Sequence, residues 1–254
     1  MIKRIPYYWR MIATAFSFSV FGMGGITLRI LIFPLLNVFI WRVPTRIYCS
    51  RLLIRYSFRA FIEMMRILRV LTYDTQGLER LQRTGLLILA NHPTLIDTVF
   101  LMAFVKQADC IVKNSLWQNP FTCGPIRAAG YICNQNDPDL LKNCESALAR
   151  GSNLLIFPEG TRTPRTGQLN FKRGAANIAI RYCRDVTPVV IQCTPATLSK
   201  REKWWQIPAS TPHFTLHVGQ DIVVKSSSMQ ATNEILATRR LTLDLQHYFS
   251  ERLA

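Results

Sequence analysis

The chain has 254 residues, 49% of them hydrophobic, with 31 Lys and Arg against 15 Asp and Glu for a net charge of +16. That apolar content argues against extensive disorder and supports one large core or a core with a small appendage. Seven cysteines without a CxxC pair argue against both a disulfide framework and a zinc site, so the main body is expected in a reducing cytosol.

The charge is uneven along the chain. Residues 1–60 hold nine of the basic residues, among them Arg10, Arg29, Arg42 and Arg51, and no acidic residue. Basic residues interleaved with apolar and aromatic ones suit an anionic membrane surface better than a nucleic acid. Met11 to Leu28 carries no charge, and as a helix would rise roughly 27 Å, slightly short of a ~30 Å hydrocarbon core. Basic residues flank the apolar stretch on both sides, which assigns both flanks to the cytoplasm. A re-entrant or interfacial helical hairpin is therefore expected, with Gly22, Gly24 and Gly25 easing the bend. Its alternatives are a single span and a buried hairpin of a soluble protein. Tyr7, Tyr8, Trp9 and Trp41 mark the apolar boundaries and favour the membrane interface.

Two units are expected: a basic, apolar N-terminal membrane segment over 1–60 and a main domain over 61–254. From about Tyr73 short apolar runs alternate with helical stretches. Gly85–Asn91, Ala108–Lys113, Gly130–Cys133, Asn153–Pro158 and Val186–Cys193 read as strands, several of them continuously apolar as buried strands require. TLIDTVFLMAFV, DPDLLKNCESALARG and GAANIAIRYC carry helical spacing between them. The fold class is α/β, with a mostly parallel central sheet flanked by helices. FTLHVG and DIVVK would add antiparallel strands, and NEILATRRLTLDLQHYFSERL a final helix.

Two strand ends carry chemistry. The run LLILA leads into NHPTLID, residues 91–97, at the carboxyl end of a strand, where α/β sheets collect their ligands. Pro93 suits the first turn of a helix, which would put His92 at or near its N-cap. Five residues of regular helix would rotate His92 and Asp97 about 140° apart. Asp97 reaches the imidazole only if His92 lies off the helical path, as a residue before proline does. An imidazole so oriented is a general base for a hydroxyl proton; the bland alternative is a capping histidine and a solvated aspartate. NLLIFP then runs into Glu159, Gly160, Thr161 and Arg162. Arg162 offers a planar fork for a phosphate or carboxylate, while Thr161 and the Gly160 backbone suit an oxygen ligand.

NHPTLID and FPEGTRT, about 60 residues apart, resemble the paired motifs of the glycerolipid (lysophospholipid) acyltransferases, which include 1-acylglycerol-3-phosphate O-acyltransferases. The likeness continues through IVKNSL, NPFTCGPIRAAGYI, FKRGAANIAI and TPVVIQCTP, covering roughly Leu86 to Pro195. It implies a membrane-associated enzyme in which His92 is the general base, Asp97 orients it and Lys113 stabilises the oxyanion. Glu159, Gly160, Thr161 and Arg162 would bind the acceptor, and Gly130 and Asn136 belong to an intermediate motif that contributes to the same site.

The implied donor is an acyl thioester, acyl-CoA or acyl carrier protein, with no other cofactor, no metal and no nucleic acid. The implied partners are membrane lipids and the donor's carrier, and the implied location is the cytoplasmic face of the inner membrane. The family usually has arginine where Asn136 stands, or Gln135 on a shifted alignment. A neutral amide gives up a bidentate charged contact, which opens two alternatives: a non-phosphate acceptor such as an amino-acid lipid or glycolipid, and a non-catalytic lipid-binding protein of the same fold. His213 and His217 fall in an expected strand without a metal-site setting. KREKWWQIP, residues 200–208, reads as a lipid-facing or solvated loop.

Overall fold

The computed structural model describes residues 7–134, 139–224 and 234–253. The N-terminal segment is one continuous helix rather than two arms. Helix α1 (Tyr7–Thr27) passes through a π-turn at Leu28–Ile32 into α2 (Phe33–Phe39). Pro34 explains the irregularity, because its ring clashes with the carbonyl four residues earlier, at Ile30, inside the π-turn. The 33 residues together are long and apolar enough to cross a membrane, and only 6% of their most apolar window is buried by the protein.

Gly22, Gly24 and Gly25 do not bend the chain, which reverses only after Phe39, where Ile40 is extended. At Gly25 a Cβ would lie 2.8 Å from the Phe121 carbonyl oxygen. The absent side chain there serves close packing rather than a bend.

Helix α3 (Val43–Ile67) starts with Pro44 in its first turn, where the missing N–H costs nothing. The expected boundary between residues 60 and 61 falls inside this helix. Ile62 and Met65 are almost fully buried against the rest of the molecule.

Among the described residues seven strands form one sheet: β1 (Thr72–Gln76), β2 (Leu87–Ala90), β3 (Ala108–Lys113), β4 (Ile132–Asn134), β5 (Asn153–Ile156), β6 (Val186–Thr194) and β7 (His213–Val218). Their order is β1-β7-β6-β2-β5-β3-β4. Only the β6–β7 pair is antiparallel. The observed α/β architecture matches the alternation of apolar runs and helical stretches. Strand β1 is additional: TYDTQ alternates exposed and half-buried positions at the sheet edge, so it lacks the apolar run of its neighbours. DIVVK, by contrast, contributes only an isolated bridge from Ile222 to Val186 among its described residues.

Helix α4 (Asp97–Phe104) follows β2, short α5 (Asn114–Gln118) and α6 (Cys123–Ala128) join β3 to β4, and α7 (Leu140–Ala149), α8 (Gly174–Arg181) and α9 (Glu234–Leu253) complete the fold. Fully buried β2 lies between β5 and β6. Its side chains alternate with the period of two that a pleated strand imposes. Ile88 and Ala90 enter the core shared with α3 and α4, while Leu87 and Leu89 enter the core shared with α7, α8 and α9. Fully buried β2 thus leads directly into Asn91 and His92.

Candidate active site

Beyond Ala90 the sheet ladder is extended by a side chain. Asn91 donates from Nδ2 to the Ile191 carbonyl (2.7 Å) and accepts the Ile191 N–H at Oδ1 (2.8 Å), which fixes the backbone immediately before His92. The helix does not begin at Pro93 as expected. Residues 92–96 form a loop and α4 starts at Asp97. Asp97 holds that loop: Oδ2 accepts the Thr94 N–H (2.7 Å) and Oδ1 accepts the Thr94 hydroxyl (2.5 Å). These bonds turn the chain back so that His92 Nδ1 lies 2.9 Å from Asp97 Oδ2.

The His92–Asp97 pair therefore forms through a turn ahead of the helix. Asp97 is buried completely, whereas the His92 side chain keeps 16% of its exposure. Burial pushes the Asp97 carboxyl above its ordinary range, and the donors from His92 and Thr94 pull in the opposite direction. With Nδ1 facing a carboxylate oxygen, the ring proton belongs on Nδ1, and Nε2 is left with its lone pair. The ring is also stacked on Phe157, with centroids 4.2 Å apart and planes inclined by 22°. Two independent constraints thus set the imidazole plane.

The second motif is locked to the first through Glu159. Its Oε1 accepts the His92 N–H (3.0 Å) and the Thr163 hydroxyl (2.8 Å), while the Thr163 N–H donates to the His92 carbonyl (2.7 Å). Glu159 is 4% exposed, and burial raises its carboxyl above the ordinary Glu value against the pull of these donors. The expected acceptor ligand is here an internal brace for His92. Gly160 turns the chain with φ +66° and packs against Lys172, whose Nζ would lie 3.1 Å from an added Cβ. Thr161 is half-buried beside it.

Arg162 donates from Nη1 to the carbonyls of Leu198 (2.8 Å) and Ser199 (3.0 Å). The same Leu198 carbonyl accepts the Leu95 N–H at 3.1 Å, so Arg162 supports the loop facing residues 95 and 96. Part of the guanidinium is consequently spent on backbone rather than reserved for an anion.

Lys113 is exposed at the carboxyl end of β3, on the same end of the parallel strands as His92 and Glu159. Gly130 is elsewhere. It occupies the left-handed turn (φ +63°) before β4, where an added Cβ would press on Ile47 at 3.2 Å. Four residues separate it from Asn134 at the carboxyl end of that strand, or about 13 Å of strand rise. Gly130 therefore shapes the α6–β4 turn and does not reach His92. Asn136, like Gln135, lies outside the described residues.

Asn91, Thr94, Phe157 and Thr163 were not singled out from sequence, although all four sit in or beside the two motifs. Thr94, three residues before Asp97, carries the clearest missed signal, a hydroxyl spaced for a local side-chain turn.

A cavity of about 660 Å³ is lined in part by Leu95 and Ile96, which lie between the dyad's two members in sequence. Phe18 and Phe21 of α1, Phe58 and Phe61 of α3, Met102 of α4 and Val112 of β3 are among its walls. That volume falls within the range of small-molecule pockets, and its walls are overwhelmingly apolar.

The acyltransferase family model matches residues 73–192, which include both motifs. A 1-acyl-sn-glycerol-3-phosphate acyltransferase of Pseudomonas aeruginosa is 29% identical over 195 residues, covering 74% of this chain and 70% of that protein. Its counterpart from Helicobacter pylori is 34% identical over 113 residues, covering 41% of this chain and 47% of that protein. The crystal structure of the 1-acyl-sn-glycerophosphate (LPA) acyltransferase PlsC from Thermotoga maritima superposes with a TM-score of 0.71 at 17% identity. It covers 96% of this chain and 98% of that one, and at that identity the likeness speaks for the fold.

Proposed function

We propose that this chain, whose residues 73–192 match the acyltransferase family model, is a membrane-associated enzyme moving a fatty acyl group from an acyl thioester to the hydroxyl of a lysophospholipid such as 1-acylglycerol-3-phosphate. The observation that carries the reading is the His92–Asp97 dyad (2.9 Å), whose connecting loop supplies Leu95 and Ile96 to the wall of the apolar cavity. The acyl chain enters the cavity and its thioester carbonyl stays at the mouth.

His92 Nε2 takes the proton of the acceptor hydroxyl as its oxygen attacks that carbonyl, and Asp97 stabilises the imidazolium that forms. Lys113 is assigned to the oxyanion. Collapse expels the carrier's thiolate, which recovers the proton from His92, so no acyl-enzyme is required. The acceptor head group is assigned to the surface between Gly160, Thr161 and the remaining face of Arg162, and the motif resemblance adds Asn136 to the same task.

The basic N-terminal flanks and the apolar helix support a location on the cytoplasmic face of the inner membrane. The donor's carrier is coenzyme A or acyl carrier protein; anionic phosphates and an acidic protein are both attracted by a chain of net charge +16. The names of the bacterial relatives support the glycerol-phosphate acceptor.

The test is acyl transfer by full-length protein in lipid nanodiscs, with lysophosphatidic acid and an acyl-CoA or acyl carrier protein donor. His92→Ala should lose about 10²- to 10⁴-fold in kcat while its melting profile is retained. Undiminished transfer by that variant would remove His92 from the mechanism. Turnover of an amino-acid or sugar lyso-lipid in preference to lysophosphatidic acid would move the acceptor to the other class.

A further inference from the structure

KREKWWQIP, residues 200–208, lies outside both motifs and lends no residue to the cavity wall. It is nonetheless a built loop. Arg10 of α1, itself buried, donates to the carbonyls of Pro208 (2.9 Å) and Ala209 (2.7 Å). Eight residues further along the same helix, roughly 12 Å of rise, half-buried Phe18 packs on Trp204 with ring centroids 5.8 Å apart. Inside the loop the Glu202 N–H donates to the Ser199 carbonyl (3.1 Å) and the Gln206 N–H to the Lys203 carbonyl (3.0 Å). The segment is thus fastened to the flank of α1 at two levels.

What the loop presents is apolar. Trp204 and Trp205 remain 40% and 49% exposed although they are fixed edge to face, with centroids 5.4 Å apart. Through Phe18 they continue a face of α1 on which Ile12, Phe16 and Met23 are exposed at helical spacing. Exposed apolar residues scattered singly need no explanation, whereas a contiguous patch marks an interaction surface.

The charge around the tryptophans has one sign. Glu202 is the single acid of the loop, and its carboxylate is turned inward, accepting the Ser199 N–H (2.8 Å) and pairing with Arg165. Lys200, Arg201 and Lys203 are exposed and have no carboxylate partner among the described residues. Lys203 holds its Nζ 5.0 Å from the Trp205 ring centroid, so cation and aromatic ring stand on the same side of the loop.

Tryptophan favours the headgroup level of a bilayer, and lysine and arginine beside it are attracted by anionic phosphates. We propose that residues 200–208 form a second membrane contact, in which Trp204 and Trp205 enter the headgroup layer beside α1 and Lys200, Arg201 and Lys203 gather anionic lipid. The inference rests on the membrane association argued above. An acidic protein would answer the cations, but not a tryptophan pair continuous with the exposed apolar face of α1. The contact also bears on the site: the carbonyls that hold Arg162, those of Leu198 and Ser199, directly precede the loop, so the acceptor side of the site is tied to the element that meets the headgroups.

The experiment uses full-length protein in nanodiscs of phosphatidylcholine and phosphatidylglycerol, with bromine near the carbonyl end of the acyl chains of one lipid class or the other. Quenching of tryptophan emission is compared between the wild type and the double variant Trp204→Phe, Trp205→Phe, so that the difference belongs to the loop whatever α1 does. The loop's share should be quenched in both discs. Quenching should be stronger with bromine on phosphatidylglycerol, since one engaged cation biases its surroundings toward anionic lipid by about fivefold. The triple variant Lys200→Gln, Arg201→Gln, Lys203→Gln, measured against its own counterpart with both tryptophans replaced, should keep the quenching and lose the bias.

Loop emission untouched by bromine in either disc overturns the proposal, and if that emission shifts instead on adding an acidic carrier protein the patch belongs to a protein partner. Equal quenching by the two brominated lipids, or a bias that survives the triple variant, overturns it as well, because the cations then select nothing. Trp9 and Trp41, exposed near the two ends of the apolar helix, report separately on the reading beneath. Quenching of these without the loop refutes the second contact and leaves membrane association standing, and quenching of neither refutes both.

Discussion

Replacing Asp97 with asparagine separates the two tasks of the carboxylate, holding the imidazole and compensating its charge. Oδ2 accepts from both the Thr94 N–H (2.7 Å) and His92 Nδ1 (2.9 Å), and Oδ1 accepts only the Thr94 hydroxyl (2.5 Å). An asparagine NH₂ at the Oδ2 position would face a backbone N–H that cannot reverse its polarity. The amide must therefore put its oxygen there and its nitrogen toward the Thr94 hydroxyl, which can rotate to accept. His92 keeps a proton on Nδ1 and a lone pair on Nε2.

What Asp97→Asn removes is the negative charge. A hydrogen bond to an ionised group contributes about 1.5–3 kcal/mol against about 0.5–1.5 kcal/mol for a neutral one. The loss of roughly 1–2 kcal/mol at the transition state predicts a fall in kcat of about 5- to 30-fold. This is far milder than the ~10⁴-fold loss where the same change flips the histidine tautomer. Asp97→Ala, which frees the ring and orphans the Thr94 N–H, should approach the His92→Ala level. The assay is thiol release from the acyl thioester at saturating donor and acceptor. Asp97→Asn as inactive as His92→Ala would refute the tautomer argument, and unchanged kcat would refute any charge role for Asp97.

Burial raises the Glu159 carboxyl, so the folded protein binds that proton more tightly than the unfolded chain. Its contribution is full below the unfolded value and fades as pH rises through the folded one. The melting temperature of the wild type relative to Glu159→Gln should thus climb as pH falls from neutrality toward the ordinary Glu range, and a slope of opposite sign in calorimetry would contradict this. Arg51 and Asp109 form a buried pair (2.5 Å; side chains 7% and 1% exposed); Arg51→Ala should cost about 3–5 kcal/mol, and the double variant combining Arg51→Met with Asp109→Leu much less. Urea unfolding measures both, and a single-variant cost below about 1 kcal/mol would show the pair to be idle. Gly160→Ala places a Cβ at φ +66° and 3.1 Å from Lys172 Nζ, so it should cost at least about 1–2 kcal/mol, read as a lowered unfolding midpoint; an unchanged midpoint would show that the turn relaxes freely.

The sheet was readable where its strands are buried on both faces. Ala108–Lys113 falls on β3, and Val186–Cys193 lies within β6, because a mainly apolar run of strand length has few other ways to be buried. Strand β1 escaped because TYDTQ is an edge strand, and its partner β7 is far away in the chain. The N-terminal bend was misplaced for a related reason. Glycine in a helix allows a bend but also allows close packing, and only the position of Phe121 against Gly25 distinguishes the two.

Within the site, residue type gave the chemistry and tertiary contacts assigned the tasks. A histidine, an aspartate and a glutamate at strand ends announce proton handling, yet nothing in FPEGTR says that Glu159 turns inward to hold the His92 N–H. That bond exists because parallel β2 and β5 are neighbours, with Leu89 paired to Ile156. The chain then leaves both strand ends at the same height. The cavity is less legible still, since its walls come from α1, α3, α4 and β3, each contributing residues that also read as ordinary core. Periodicity reports that a side chain is covered, and it cannot report whether protein or ligand does the covering.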